Sequence, residues 1–302
     1  VLAAWLEQGH TLMETVNASP RAFRQTGWNA HCTSLNGPDW RPRNVEGSMS
    51  GFHPVEQIIY RSVNVGTVEM AYQMDLCNLF ERSADLGLSD VYGNTIEALP
   101  AMVLGTMQVS PLRMANMYAT FAADGVYCEP IAITRVTDAD GNAIPVPTAD
   151  CHQEIRPEIA RAVNHTLQKV MTLGTARNVG NPVGHVAAGK TGTTNSNKHA
   201  WFIGYTPGLS TAAWTGFSAG DKAMQHIRVN GQYINYTYGS TLALPIWKAF
   251  MDRAMVDEPV IPFNPASNLE IYGVMIRVPD VSNLTQGTAE QSLKGFGLRP
   301  RI

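Results

Sequence analysis

Apolar positions recur at helical spacing in several stretches of the chain and at strand spacing in one. Gly66 to Leu86 carries Val68, Ala71, Tyr72, Leu76 and Leu79 and stops at Gly87, which predicts one long helix. Residues 54–61 predict a shorter one just before it. Ser110-Pro111 offers a cap followed by proline at the first helical position. Met114, Met117, Tyr118 and Phe121 then continue on one face as far as Gly125, a stripe that reads as core. Pro157 to Met171 predicts another helix, and a last one spans Leu242 to Met255, with Pro245 delaying or kinking its start. Between these the period changes. Val186-Ala187-Ala188, Ala200 to Tyr205 and Thr211 to Phe217 read as strands, and Tyr127 to Pro145 as a hairpin. Helices before and after a block of adjacent strands predict an α+β layer fold rather than a regular βαβ alternation.

Two stretches lack periodicity. Residues 19–50, rich in Pro, Gly, Asn and Trp, predict a long ordered loop, a length that often goes with function. Asp257 to Pro265 holds Pro259, Pro262 and Pro265 and reads as a stiff linker, followed by a unit from Ile271 to Ile302 too short for a core of its own. The start is unusual: Val1-Leu2-Ala3-Ala4-Trp5-Leu6 reads as the end of an amphipathic helix with no cap before it, which predicts that residues upstream belong to it.

Composition narrows the function classes. The 302 residues carry 22 Lys+Arg against 25 Asp+Glu, a net −3 with no run of either sign, which argues against a nucleic-acid binder working by phosphate neutralisation. A hydrophobic share of 44% is a globular balance. The longest stretch free of Asp, Glu, Lys and Arg, His199 to Gly220, is broken by Gly204, Pro207, Gly208 and Gly216, so any membrane anchor is expected upstream of this chain. Cys32, Cys77, Cys128 and Cys151 have no zinc spacing. Cys128 and Cys151 bracket a two-stranded segment around Asp138-Ala139-Asp140-Gly141-Asn142. A bridge between them in an oxidising compartment and four free thiols are both open readings.

The most chemical stretch is Gly184-His185-Val186-Ala187-Ala188-Gly189-Lys190-Thr191. It matches the phosphate-cradling pattern G-x-x-x-x-G-K-[ST], which needs a strand before it and a helix starting at the Lys-Thr. Asn178 to Pro182 is no buried strand and Gly192 to Asn197 is no helix, so a P-loop NTPase is the weaker reading. The other reading puts Lys190-Thr191-Gly192 on a strand, where Gly192 lets a substrate backbone come close. K-T-G travels with S-D-N and S-x-x-K in serine acyl-transfer enzymes. Ser62-Val63-Asn64 matches the first and third positions of S-D-N, although a Ser or Asn there also reads as a helix cap. Three residues before the six lysines stand Thr166, Ala187, Asn195, Ala219, Pro245 and Gln291, so the chain contains no Ser-x-x-Lys.

Together these stretches resemble the transpeptidase domain of a class A (bifunctional) penicillin-binding protein. The resemblance rests on Trp40-Arg41-Pro42-Arg43-Asn44, Arg61 to Val65, Leu104 to Leu112, Ala119 to Gly125, Ala188 to Thr194 and Ala200 to Pro207, and covers residues 1–256. It implies a penicillin-binding/β-lactamase-like fold with an antiparallel sheet flanked by helices. Val278-Pro279-Asp280-Val281, Asn283-Leu284, Ala289, Leu293 and Gly295-Phe296-Gly297 resemble the start of a PASTA repeat across 277–302, after a Pro-containing linker at 257–276. With the cysteines beside the hairpin, this combination is similar to actinobacterial members.

The resemblance implies a D-Ala-D-Ala transpeptidase that cross-links peptidoglycan stem peptides through a serine acyl-enzyme, is a target of β-lactams and works on the extracytoplasmic face of the membrane. It implies no metal and no cofactor. Ser62 would relay protons, Asn64 would hold the substrate amide and orient the nucleophile's lysine, and Lys190 and Thr191 would receive the terminal carboxylate. Thr193 would lend a backbone N–H to the oxyanion. The Ser-x-x-Lys pair itself is expected just before Val1, and the isolated chain is expected to be inactive. A β-lactamase or carboxypeptidase, and a non-catalytic muropeptide-binding module, are the competing readings. His199 departs from the acidic residue often found before Ala-Trp-Phe in this family.

Overall fold

A computed structural model of the protein describes residues 1–45, 49–90, 92–220, 222–273 and 279–295. Helix α1 (Leu2–Glu7) buries Leu2, Trp5 and Leu6. Strand β1 (Thr15–Asn17) pairs antiparallel with β2 (Phe52–Pro54). Between them the long loop is folded against the body. Phe23 and Trp40 exchange backbone hydrogen bonds of 2.8 and 2.9 Å, and a disulfide joins Cys32 to Cys77.

Helix α2 (Val55–Tyr60) is followed by α3 (Asn64–Tyr72) and α4 (Leu76–Asp85). The single helix predicted over Gly66–Leu86 is therefore two. Asp75 ends the run: its extended backbone and its carboxylate, which accepts from the N–H groups of Cys77 and Asn78, make it the N-cap of α4. The apolar spacing does not register the break because both pieces face one core.

Helix α5 (Pro111–Ala122) begins as predicted, with Ser110 Oγ accepting from Arg113 N at 3.3 Å. The next strands are β3 (Val126–Cys128), β4 (Val136–Thr137), β5 (Ala143–Ile144) and β6 (Cys151–Gln153). The hairpin predicted over Tyr127–Pro145 is confined to β4 and β5, turning on Asp138, whose carboxylate accepts from Asp140 N and Asn142 N. Strand β3 instead pairs with β6, which sets Cys128 opposite Cys151, and a disulfide joins them.

Helix α6 (Pro157–Thr172) leads into β7 (Ala188–Thr193), β8 (His199–Thr206) and β9 (Leu209–Gly216), an antiparallel sheet in the order β7-β8-β9. A hairpin of β10 (Gln225–Val229) and β11 (Gln232–Tyr236) follows. A π turn over Gly239–Ala243 then feeds α7 (Leu244–Ala254). Pro245 stands in its first turn, so the α-helix starts at Leu244, two residues later than predicted. Short helices α8 (Asn268–Tyr272) and α9 (Gln286–Gly295) complete the described chain. None of the described helices is long and apolar enough to cross a membrane.

Alternation along β8 builds three layers. Tyr205 faces α5 and α6: its ring packs against Tyr118 and its hydroxyl donates to Asn164 Oδ1 at 2.6 Å. Phe202 and Gly204 face α7, where Trp247 meets Phe202 edge to face and donates Nε1–H to the Gly204 carbonyl at 3.0 Å. Beyond α7 the proline-containing stretch lies along the body: Phe263 packs on Tyr205, and Leu12 N and Met13 N donate to the carbonyls of Glu270 and Ile271. Of the PASTA-like stretch, Val278, Phe296 and Gly297 lie outside the described residues.

Candidate active site

The site forms where the turn between α2 and α3 meets the outer edge of β7. The turn is built by the C-terminus of α2. Ser62 N donates to Ile59 O and Val63 N to Ile58 O, the paired bonds of a Schellman motif, and the side chains of Val63 and Ile58 are both buried. This geometry requires a left-handed residue at the position Ser62 occupies, and its φ is +57°. Glycine takes that conformation freely, whereas a serine there costs about 1–2 kcal/mol. The hydroxyl does not cap α3, since no side chain caps that helix and Val63 holds the N-cap position. Instead Ser62 Oγ accepts from Lys190 Nζ at 2.6 Å. The helix-cap reading of Ser62 therefore does not hold, and the strain is spent on aiming a hydroxyl at a lysine 128 positions away.

Lys190 sits in the middle of β7, opposite Ile203, with Gly192 opposite Trp201. Its ammonium also donates to the Thr191 carbonyl at 3.0 Å. Among the described residues no carboxylate is bonded to it, and burial lowers its pKa to about 8. At neutral pH it is still a cation, so it can only donate to Ser62. The hydrogen of Ser62 is then free to point elsewhere, the arrangement a proton relay needs.

Asparagines join the long loop to this turn. Asn44 Nδ2 donates to Ala18 O and Met49 O, and Asn44 Oδ1 accepts from Val65 N, an N–H in the first turn of α3 that has no partner within the helix. Asn64, the first residue of α3, donates Nδ2–H to Arg43 O at 2.9 Å. Its amide thus holds the Trp40–Asn44 loop.

The remaining predicted residues line the same strand. Thr191 Oγ1 lies 2.8 Å from Thr175 Oγ1, a partner that sequence reasoning missed because Thr175 belongs to the turn after α6. Gly192 is approached closely by the chain itself: a Cβ on Gly239 would lie 2.7 Å from the Gly192 carbonyl oxygen. Thr193 Oγ1 accepts from Gly239 N at 3.0 Å, which ties the end of β7 to the π turn. Ser62 and Lys190 are therefore brought together across the fold, with Thr191, Gly192 and Thr193 following Lys190 on the same strand, while the Asn64 amide is turned to Arg43 O. Cys128 and Cys151 belong to the β3–β6 pair instead.

The P-loop alternative fails on geometry. Lys190 and Thr191 lie within a strand, and the chain continues into a turn at Asn195–Asn197 rather than a helix. His199 opens β8 and stacks on Trp214, its Nδ1 buried and without a hydrogen-bond partner among the described residues.

The family model described as "Penicillin binding protein transpeptidase domain" matches residues 14–232. The chain belongs to the penicillin-binding-protein transpeptidase family. Its relatives include penicillin-binding protein 1A of Neisseria flavescens, 27% identical over all of this chain and 36% of that protein. Another is penicillin-binding protein 1A of Neisseria meningitidis serogroup A, 30% identical over 84% of this chain and 30% of that one. The chain thus spans about a third of the length of the curated relatives it matches. Among solved structures, PonA1 from Mycobacterium tuberculosis in complex with penicillin V superposes with a TM-score of 0.73 at 28% identity, covering 90% of this chain and 71% of that one. Penicillin-binding protein 1A from Haemophilus influenzae shares the fold at a TM-score of 0.73 and 22% identity, over 87% of this chain and 42% of that chain.

Proposed function

We propose that this chain forms the walls of a D-Ala-D-Ala transpeptidase site that cross-links peptidoglycan stem peptides and is acylated by β-lactams. The observation that carries the reading is the 2.6 Å bond from Lys190 Nζ to Ser62 Oγ, made by a strained turn that has no structural need for serine. Family membership supports it, as does the penicillin bound by the similar PonA1.

In this reading the nucleophilic serine belongs to a Ser-x-x-Lys motif that these 302 residues do not contain. Its hydroxyl gives its proton to that motif's lysine as the oxygen attacks the penultimate D-Ala carbonyl, the peptide bond breaks, and the terminal D-Ala leaves as an amine. Ser62 hands that amine its hydrogen and is reprotonated from the lysine side. Lys190 and Thr191 receive the terminal carboxylate, Asn64 orients the peptide, and the Thr193 backbone N–H serves the oxyanion. An amine of a second stem then takes the acyl group. Residues 1–256 form the transpeptidase domain in this reading, 257–276 the linker and 277–302 the beginning of a PASTA repeat. The site works outside the cytoplasm, where the Cys32–Cys77 and Cys128–Cys151 bridges are stable.

The test is labelling by a fluorescent penicillin. The full-length protein should be labelled in a 1:1 adduct, and residues 1–302 alone should not. A stable penicilloyl adduct on the isolated chain, found by mass spectrometry, would show that the nucleophile is one of its own residues.

A further inference from the structure

Thr175 stands outside the three motifs, yet its position is unusually well fixed. After α6 the chain turns against the last residue of α2. A Cβ on Gly174 would lie 2.2 Å from the Tyr60 carbonyl oxygen and 2.8 Å from Val170 Cα, so only glycine permits this approach. Thr175 N donates to the same Tyr60 carbonyl at 3.3 Å, and Ala176 N donates to Val170 O at 3.0 Å. Thr175 is thereby held between the end of α6 and the helix that carries the Ser62 turn. From there its hydroxyl lies 2.8 Å from that of Thr191.

Each of these hydroxyls has one hydrogen, so one donates and the other accepts. An anion arriving at Thr191 beside the Lys190 ammonium takes the Thr191 hydrogen. The Thr191 oxygen then has only its lone pairs to offer Thr175, and Thr175 becomes the donor. We propose that Thr175 is a positioning residue for carboxylate recognition: it donates to Thr191 and thereby directs the single Thr191 hydrogen at the terminal carboxylate of the substrate. A hydroxyl that accepts a hydrogen bond is also a stronger donor, so the chain Thr175–Thr191–carboxylate reinforces itself. The inference rests on the reading of Lys190 and Thr191 as the carboxylate site.

Acylation rates of the full-length protein by benzylpenicillin and by its carboxyl methyl ester test this directly. Thr175→Val keeps the shape and removes the hydroxyl. The second-order rate with benzylpenicillin should fall about tenfold, roughly the worth of one ordinary hydrogen bond. The rate with the ester should stay unchanged, and Thr175→Ser should restore the rate with the acid. An equal loss on acid and ester would mean that Thr175 only supports packing, and would overturn the proposal. So would no loss at all, or a serine variant as slow as the valine one. If the unsubstituted protein does not distinguish acid from ester, the carboxylate reading of Lys190 and Thr191 fails and the proposal falls with it. If it does distinguish them but Thr175→Val is indifferent, Thr175 alone is wrong.

Discussion

The two halves of the site are built on opposite principles. Lys190 lies on a regular strand whose six residues pair one by one with β8, and the ladder fixes its direction with no unfavourable backbone angle. Ser62 lies at a left-handed position that glycine would occupy at lower cost, on a turn held from outside by Asn44 and the Trp40–Asn44 loop. The strand half is rigid because of what it is, the turn half because of what surrounds it. Changes in the strand half should therefore remove chemistry and leave stability alone. In the turn half, chemistry and stability should trade against each other.

Lys190→Ala should show the largest effect. Loss of the cation and of the donor to Ser62 should slow penicillin acylation of the full-length protein by about 10²–10³-fold, with an unfolding midpoint close to that of the parent. A drop below tenfold would mean that the strand half is dispensable. Ser62→Gly sharpens the contrast. Acylation should fall by about 10²-fold as the relay is lost, while urea denaturation should show a gain approaching ~1 kcal/mol from relief of the left-handed strain. If both quantities fall, the turn does not store strain in the way its φ implies.

Asn44→Ala tests the outside support. It removes three hydrogen bonds at a half-buried position and should cost about 2 kcal/mol of stability, read as a lower urea midpoint at unchanged slope. The smallest effect is the pH profile. With the Lys190 pKa near 8, the free protein carries the cation at pH 7 and loses it as pH rises through that value. The second-order rate with benzylpenicillin should therefore bend downward above about pH 8 and be roughly tenfold lower near pH 9. Lys190→Arg keeps its charge and should lack that bend. A limb that survives in the arginine variant belongs to another group.

The K-T-G strand was legible because its evidence is local. Val186 and the alanines before Lys190, and the poor helix formers after Thr191, distinguish a strand from a P-loop within ten residues. The Ser110 cap and the α6 helix were legible for the same reason. The break at Asp75 was not, since a 3.6-residue apolar period continues across a kink when both sides face the same core. The β3–β6 pairing was hidden because the Asp138 turn signals its own small hairpin, and nothing local says that a longer-range pair encloses it. Cys32 and Cys77 carried no spacing signal for their bridge. Thr175 lies past the helix predicted to end at Met171 and carried no signal of its own, since its partner Thr191 stands on another element.

By itself the sequence determined the α+β class, the strand that presents Lys190, Thr191 and Gly192, the absence of a Ser-x-x-Lys motif from these 302 residues, and Ser62 and Asn64 as companions worth seeking. Only the tertiary structure decided that Ser62 is no cap but the acceptor of the Lys190 ammonium, that Asn44 secures the turn, and that Thr175 stands behind Thr191. The physical reason is one of range. Propensity, capping and period act over a few residues. A hydrogen bond such as the one between Lys190 and Ser62 depends on how two distant elements pack, and no local pattern encodes that distance.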